Sequence, residues 1–145
     1  MPVIISSSLL AAILADARQG EEERCGLLLG DETAILQFRP CANIHPDPIR
    51  HFELDPAALI AACREARGGG PLVTGHYHSH PGGEPLPSPT DATSAAADGR
   101  LWLIVGAHDH ALWRSVERGA VHGRFDPVGL IESEGARLAS HPSRP

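Results

Sequence analysis

The chain has 145 residues, a length that suits one domain able to bury a core without disulfide or metal staples. Its formal charge is -6, from 12 basic and 18 acidic residues, which argues against nucleic acid or an anionic membrane as a partner. Apolar residues at 42% exclude wholesale disorder, and aromatics at 4% point to a core of Leu, Ile, Val and Ala.

Val3 to Ile5 reads as a short first strand. Ser7 or Ser8 then caps a helix in which Leu9, Leu10, Ile13, Leu14 and Ala17 form an apolar stripe, ended by Gly20. The apolar run Cys25 to Gly30 and the segment Ala34 to Phe38 predict a hairpin about Gly30-Asp31. Pro40 to Arg50 is polar and proline-containing, hence a loop. Asp55 and Pro56 have the pattern of an N-cap and first helical residue, with Leu59, Ile60 and Cys63 facing inward until the glycine triplet 68–70.

Pro71 to His80 predicts a central strand running into a Gly- and Pro-rich loop. Ser88-Pro89-Thr90-Asp91 opens a further helix expected to reach Gly99. Leu101 to Val105, Ala111 to Val116 and a short edge at Val121 to Phe125 are the remaining strands. A domain covering residues 1–126 is expected, followed by a polar tail, 127–145, with partial disorder. This mixed order argues for helices covering a mixed sheet rather than a βαβ repeat, and no dinucleotide or phosphate-loop fingerprint follows any strand.

Cys25, Cys41 and Cys63 are odd in number and lack C-x-x-C spacing, a pattern of a reducing compartment. With no N-terminal basic stretch before an apolar run and no span of about 18 apolar residues, a soluble cytoplasmic protein is expected. Cys25 sits in an apolar strand without a cationic partner, so it reads as a packed thiol rather than a nucleophile.

The segment that carries chemistry is Gly75-His76-Tyr77-His78-Ser79-His80-Pro81. Strand alternation puts His76, His78 and His80 on one face and Tyr77 and Ser79 on the other. Neighbouring same-face residues stand about 6.6 Å apart, close enough for two imidazoles to meet on one ion, whereas His76 and His80 at about 13 Å make a three-histidine site awkward. His76 therefore reads as a pocket wall. Asp91, returning on the first turn of the next helix, is the best third ligand. Two imidazoles and a carboxylate leave zinc one position for water, a catalytic rather than a closed structural arrangement.

Such a site needs a base that does not bind the metal. Glu21, Glu22 and Glu23 all precede the Cys25 strand, and residue chemistry leaves the choice among them open. Ser88 is placed to donate a hydrogen bond to a developing oxyanion. Ser88 to Asp91 is also explained as a capping box with no chemistry, and the two readings are compatible.

His78-Ser79-His80-Pro81, with Ser88 eight positions after His80 and Asp91 beyond it, resembles the signature of the JAMM metalloproteases, the JAB or MPN+ domain family. Glu23-Arg24-Cys25-Gly26-Leu27-Leu28-Leu29-Gly30 is similar to that family's upstream motif, in which a glutamate two residues before Cys-Gly is the general base. The resemblance spans roughly residues 3 to 125. It implies a cytidine-deaminase-like α/β/α sandwich with a mixed central sheet, one Zn2+ with bound water held by His78, His80 and Asp91, Glu23 as the base and Ser88 as transition-state support.

The compact loop from Gly82 to Pro87 is similar to that of the bacterial members, which act on the C-terminus of ubiquitin-like sulfur-carrier proteins or on adducts there. It implies hydrolysis of a peptide or isopeptide bond. A carrier tail added as a strand at Ala34 to Phe38, or along the backbone after His80, is the expected binding mode. The alternatives are a broader metallopeptidase, including a phage-type cell-wall enzyme, and a noncatalytic scaffold module.

Overall fold

The computed structural model describes residues 2–133. Eight strands form one mixed sheet. In chain order the elements are β1 (Val3–Ser6), α1 (Ser7–Ala17), β2 (Cys25–Gly30), β3 (Ala34–Cys41), α2 (Pro56–Arg67), β4 (Leu72–Ser79), α3 (Pro89–Ser94), β5 (Leu101–Val105), β6 (His110–Gly119), β7 (Gly123–Val128) and β8 (Leu130–Ser133). Across the sheet the order is β7-β6-β5-β4-β2-β3-β1-β8. Strand β4 thus lies at the centre, parallel to β5 and antiparallel to β2.

Alternation sorts the side chains of these central strands onto two faces. Leu28, Tyr77, Leu103 and Val105 pack with Ile5, Leu10 and Ile13 beneath α1. Leu27 and Leu29 pack against Ala62, Leu59 and Val73 beneath α2. Trp102, Ile104, Trp113 and Phe125 form a third cluster that Ala92 and Ala95 of the α3 region join. The sheet is therefore covered on both faces, as the expected α/β/α sandwich requires.

Several element boundaries differ from those read in the sequence. Ser6, not Ser7 or Ser8, caps α1: its Oγ accepts from the Leu9 N–H at 3.2 Å. In α2 the inward face carries Leu59 and Ala62, while Ile60 is 53% exposed, because Ile60 lies about 100° round the helix from Leu59. Helix α3 stops at Ser94, short of Gly99, since Ala95 turns to extended backbone. Cys63 is half-buried rather than buried, and no disulfide joins the three cysteines.

The boundary expected at residue 126 falls inside β7, and the sheet continues through β8, whose four residues pair in parallel with all of β1. Residues 134–145 of the expected tail lie outside the described residues. Both expected docking edges are partly closed. Ala34 and Ile35 are paired to β1, which leaves only the stretch from Leu36 to Cys41 without a ladder on that side. The carbonyls after His80 are taken internally: those of His80, Gly83, Glu84, Pro85 and Pro87 face Gly83 N, Ala107 N, His80 Nδ1, Trp113 Nε1 and His122 Nε2.

Glycine is required where chains approach. A Cβ on Gly75 would meet the Leu101 backbone across the β4–β5 ladder, and one on Gly26 would meet the Tyr77 ring. Both glycines let β4 sit close to its neighbours just where its histidines begin.

Candidate metal centre

Strand β4 delivers His76 and His78 to the face shared with Leu27 and Trp102, and His80 follows at the strand's end. The Nε2 atoms of His78 and His80 lie 3.1 Å apart. Asp91 Oδ2 stands 3.5 Å from the first and 3.4 Å from the second. Asp91 comes from α3, whose entry is set by a capping box: Ser88 Oγ accepts from Asp91 N–H at 3.0 Å, and Asp91 Oδ2 accepts from Ser88 N–H at 2.9 Å. The capping reading of Ser88 to Asp91 is therefore correct, and the same geometry turns the carboxylate toward the histidines.

Glu23 approaches from the segment before β2. Glu23, His78 and His80 each place a donor atom within 4.8 Å of the others, a buried cluster able to coordinate a metal ion. Two triads can be drawn through the histidine pair, and the one completed by Asp91, with edges of 3.1 to 3.5 Å, is tighter. Four ligands about 2.0 to 2.1 Å from a tetrahedral ion stand about 3.3 Å from one another.

The tautomer of His80 is settled by its other nitrogen. Nδ1 lies 3.1 Å from the Glu84 carbonyl oxygen, which only accepts, so Nδ1 carries the hydrogen and the neutral ring's Nε2 presents a lone pair to the cluster. His78 is fully buried, with Phe52 stacked on its ring at 4.2 Å, and its Nδ1 has no hydrogen-bond partner among the described residues. The His80 lone pair and the Asp91 carboxylate together call for a positive partner at this corner, either a hydrogen on His78 Nε2 or a cation. The residues present fit a divalent metal ion.

Electrostatics follow from burial. Loss of water pushes the Glu23 carboxyl up to about 7, helped by the Asp91 charge and opposed by His80. Burial pulls His78 below the usual histidine range, against the pull of Asp91. Burial acts on His80 in the same direction, but its hydrogen bond to Asp91, the Asp91 charge and the Glu84 carbonyl outweigh it and raise the ring. For Asp91 burial acts upward, yet the two histidines and the Ser88 N–H hold it well below the usual carboxylate range. Burial pushes the Cys25 thiol up to about 12, so it is no nucleophile at neutral pH.

The opposite face of β4 positions these groups. Ser79 Oγ accepts from the Arg24 N–H at 2.9 Å, while the Ser79 N–H donates to the Arg24 carbonyl, also at 2.9 Å. Tyr77 OH donates to Asp16 Oδ2 at 2.6 Å, and Asp16 Oδ1 binds the Arg24 guanidinium at 2.9 Å. The residue after Glu23 is thereby tied to the residues on either side of His78.

Residues 6–118 match the family described as prokaryotic homologs of the JAB domain. The chain belongs to that family. Among JAB-domain relatives, it is 35% identical over 100 residues to a desampylase of Haloferax volcanii, covering 64% of this chain and 72% of that one. It is 36% identical over 78 residues to a probable TtuB-protein conjugate cleaving protease of Thermus thermophilus, covering 54% and 52%. It is 30% identical over 138 residues to a CysO-cysteine peptidase of Mycobacterium tuberculosis, covering 90% and 92%.

The fold agrees. Protein DSY2949 of Desulfitobacterium hafniense superposes with a TM-score of 0.76 at 25% identity, covering 91% of this chain and 93% of that one. AF2198, a JAB1/MPN domain protein of Archaeoglobus fulgidus, does so at 0.55 and 18%, covering 90% of this chain and 98% of that one.

In this JAB domain the residues expected at the site, Glu23, His78, His80, Ser88 and Asp91, come together, and Glu21 and Glu22 do not enter the cluster. His76 packs between Trp102 and Phe52, with ring centroids at 4.3 and 5.2 Å, and burial lowers it to about 3. It packs behind Phe52 and His78 and does not line the cavity. The sequence reading missed the loop from 43 to 53. His45, Arg50, His51, Phe52 and Glu53 line a cavity of about 490 Å³ together with Glu23, His80, Ser88 and Asp91. The only local hint was Phe52 and two histidines in an otherwise polar stretch.

Proposed function

We propose that this chain is a zinc-dependent peptidase that hydrolyses a peptide or isopeptide bond at the C-terminus of a ubiquitin-like sulfur-carrier protein. The observation that carries this reading is the 3.1 to 3.5 Å triangle of His78 Nε2, His80 Nε2 and Asp91 Oδ2, with Glu23 beside it. On this reading His78, His80 and Asp91 hold the metal and Glu23 stays free of it. The ion, when bound, supplies Lewis acidity to the amide carbonyl and acidifies the attacking water.

The remaining work falls to side chains. Glu23, with its carboxyl raised to about 7, is suited both to accept a proton from water and to return it to the departing amine near neutral pH. Ser88 Oγ accepts from Asp91 N–H and keeps its own hydrogen for the carbonyl oxygen as negative charge develops there. Phe52, stacked on His78, keeps bulk water from the buried ring. The desampylase, TtuB-conjugate protease and CysO-cysteine peptidase names of the relatives support a carrier protein as the substrate.

The test is incubation of zinc-loaded protein with carrier adducts, short peptides and peptidoglycan fragments, read by intact mass spectrometry. Cleavage at the carrier's C-terminal residue is expected. Glu23→Gln should keep its zinc and lose turnover by roughly 10²- to 10⁴-fold, the range of general-base catalysis. Turnover of that variant at the wild-type rate would remove Glu23 from the mechanism, and cleavage of peptidoglycan alone would replace the carrier reading with a cell-wall one.

A further inference from the structure

On the wall of the cavity beside the histidines stands one exposed guanidinium, that of Arg50, with no hydrogen-bond or ion-pair partner among the described residues. Arg50 lines it together with Glu23, His80 and Asp91. Among the described residues no hydrogen bond or ion pair engages the Arg50 side chain, and Glu53 on the same wall forms no ion pair with it. A cation left unpaired in the cavity of an acidic protein is available to a ligand.

Its backbone is held in place by Asn43. The Asn43 Nδ2 amide donates to the carbonyls of Glu23 at 2.8 Å and His51 at 2.9 Å, while Oδ1 accepts from the N–H groups of His45 at 3.1 Å and Glu53 at 3.0 Å. The Glu23 N–H donates to the Pro48 carbonyl at 2.7 Å, and the N–H groups of Arg50 and His51 both reach the Asp47 carbonyl. One amide therefore fixes the main chain of Glu23 and the loop that bears Arg50 as a single unit.

We infer that Arg50 is a specificity-determining residue that receives the free α-carboxylate of an amino acid released from the carrier tail. The inference rests on the hydrolase reading above. Glu23 serves the leaving nitrogen, so that nitrogen lies on the Glu23 side of the cavity. In an α-amino acid the carboxylate is attached to the carbon next to that nitrogen, so it falls within the same cavity, whose volume suits a small ligand. A guanidinium binds a carboxylate through two parallel N–H bonds. A lysine side chain joined through its ε-nitrogen puts neutral methylenes there instead, and offers Arg50 nothing nearby.

The experiment uses a ubiquitin-like sulfur carrier ending in Gly-Gly and extended by one alanine, either as the free acid or as the primary amide. Alanine avoids a thiol that would itself bind zinc. For the wild type we expect kcat/KM on the acid to exceed that on the amide by at least about tenfold, mainly through KM, the scale of one charge-assisted contact. In Arg50→Gln that ratio should fall below about twofold, and in Arg50→Lys it should be partly kept.

Binding of both probes to zinc-loaded Glu23→Gln, measured by calorimetry with and without the Arg50→Gln change, reports the same preference without turnover. Equal handling of acid and amide by the wild type in both measurements overturns the inference and leaves the hydrolase reading standing. Absence of cleavage of either probe, with the binding preference intact, instead defeats the hydrolase reading.

Discussion

Asp91 combines two demands that separate substitutions can pull apart. Its carboxylate closes the capping box of α3 and faces His78 and His80 with the same oxygen. A neutral amide still accepts the Ser88 N–H through its carbonyl oxygen, as glutamine does at N3 of a capping box, but it brings no charge to a cation. We expect Asp91→Asn to keep the fold, with the far-ultraviolet dichroism of the wild type, and to lose zinc affinity by at least about tenfold, the scale of losing a supporting group at a metal site. Unchanged affinity in a zinc titration would reduce Asp91 to a helix cap. Ser88, three residues earlier, serves the helix through its lone pair, by which it accepts from the Asp91 N–H, and its own hydrogen is left over.

Elements bring these residues into range, and the β2–β3 hairpin is the one whose register matters most, since Glu23 enters the site just before β2. Its turn is held by Asp31, whose Oδ1 accepts from Thr33 N–H at 2.8 Å, Thr33 Oγ1 at 2.9 Å and Ala34 N–H at 2.9 Å. The Thr33 backbone and hydroxyl bonds hold this exposed carboxyl below its usual value of 3.8. A carboxyl depressed in the folded state adds stability above its unfolded pKa and loses it as the pH falls through the folded one. Asp31→Ala should thus lower Tm at pH 7, and the gap from wild type should begin to narrow near pH 4 and close as the pH falls through the lower folded value. A gap that did not narrow at all below about pH 4 would assign the loss to something other than the charged turn. Helix α2 makes the complementary point about periodicity: inward Leu59 and Ala62 with outward Ile60 follow from the turn angle, whereas the sequence reading set Ile60 inward beside Leu59.

At the scale of the whole molecule the site sits at the margin of the apolar packing. Among the described residues three apolar clusters cover both faces of an eight-stranded sheet, and the second of them meets the candidate site through Ala92, Phe52 and Trp102. Chelation should therefore abolish hydrolysis while leaving dichroism intact, and zinc at a hundredfold over its Kd should raise stability by about 2.7 kcal/mol, the mass-action gain of a ligand that binds only the native state. Loss of secondary structure on chelation would make the metal structural instead. No helix among the described residues is long and apolar enough to cross a membrane. Strand alternation was enough to predict that His76, His78 and His80 share a face and that Tyr77 and Ser79 oppose them, and the capping pattern was enough to start a helix at Ser88 to Asp91, because those relations are local. The choice of Glu23 from three glutamates came from a resemblance, and its placement is tertiary: its N–H donates to the Pro48 carbonyl, while Asn43 and Ser79 bind the two ends of the peptide that follows it. Strand β8, and the loop that sets Arg50 and Phe52 beside the histidines, were equally hidden. Their places depend on pairing with segments more than a hundred residues away or on packing across β4, and neither leaves a periodic mark in a short stretch of sequence.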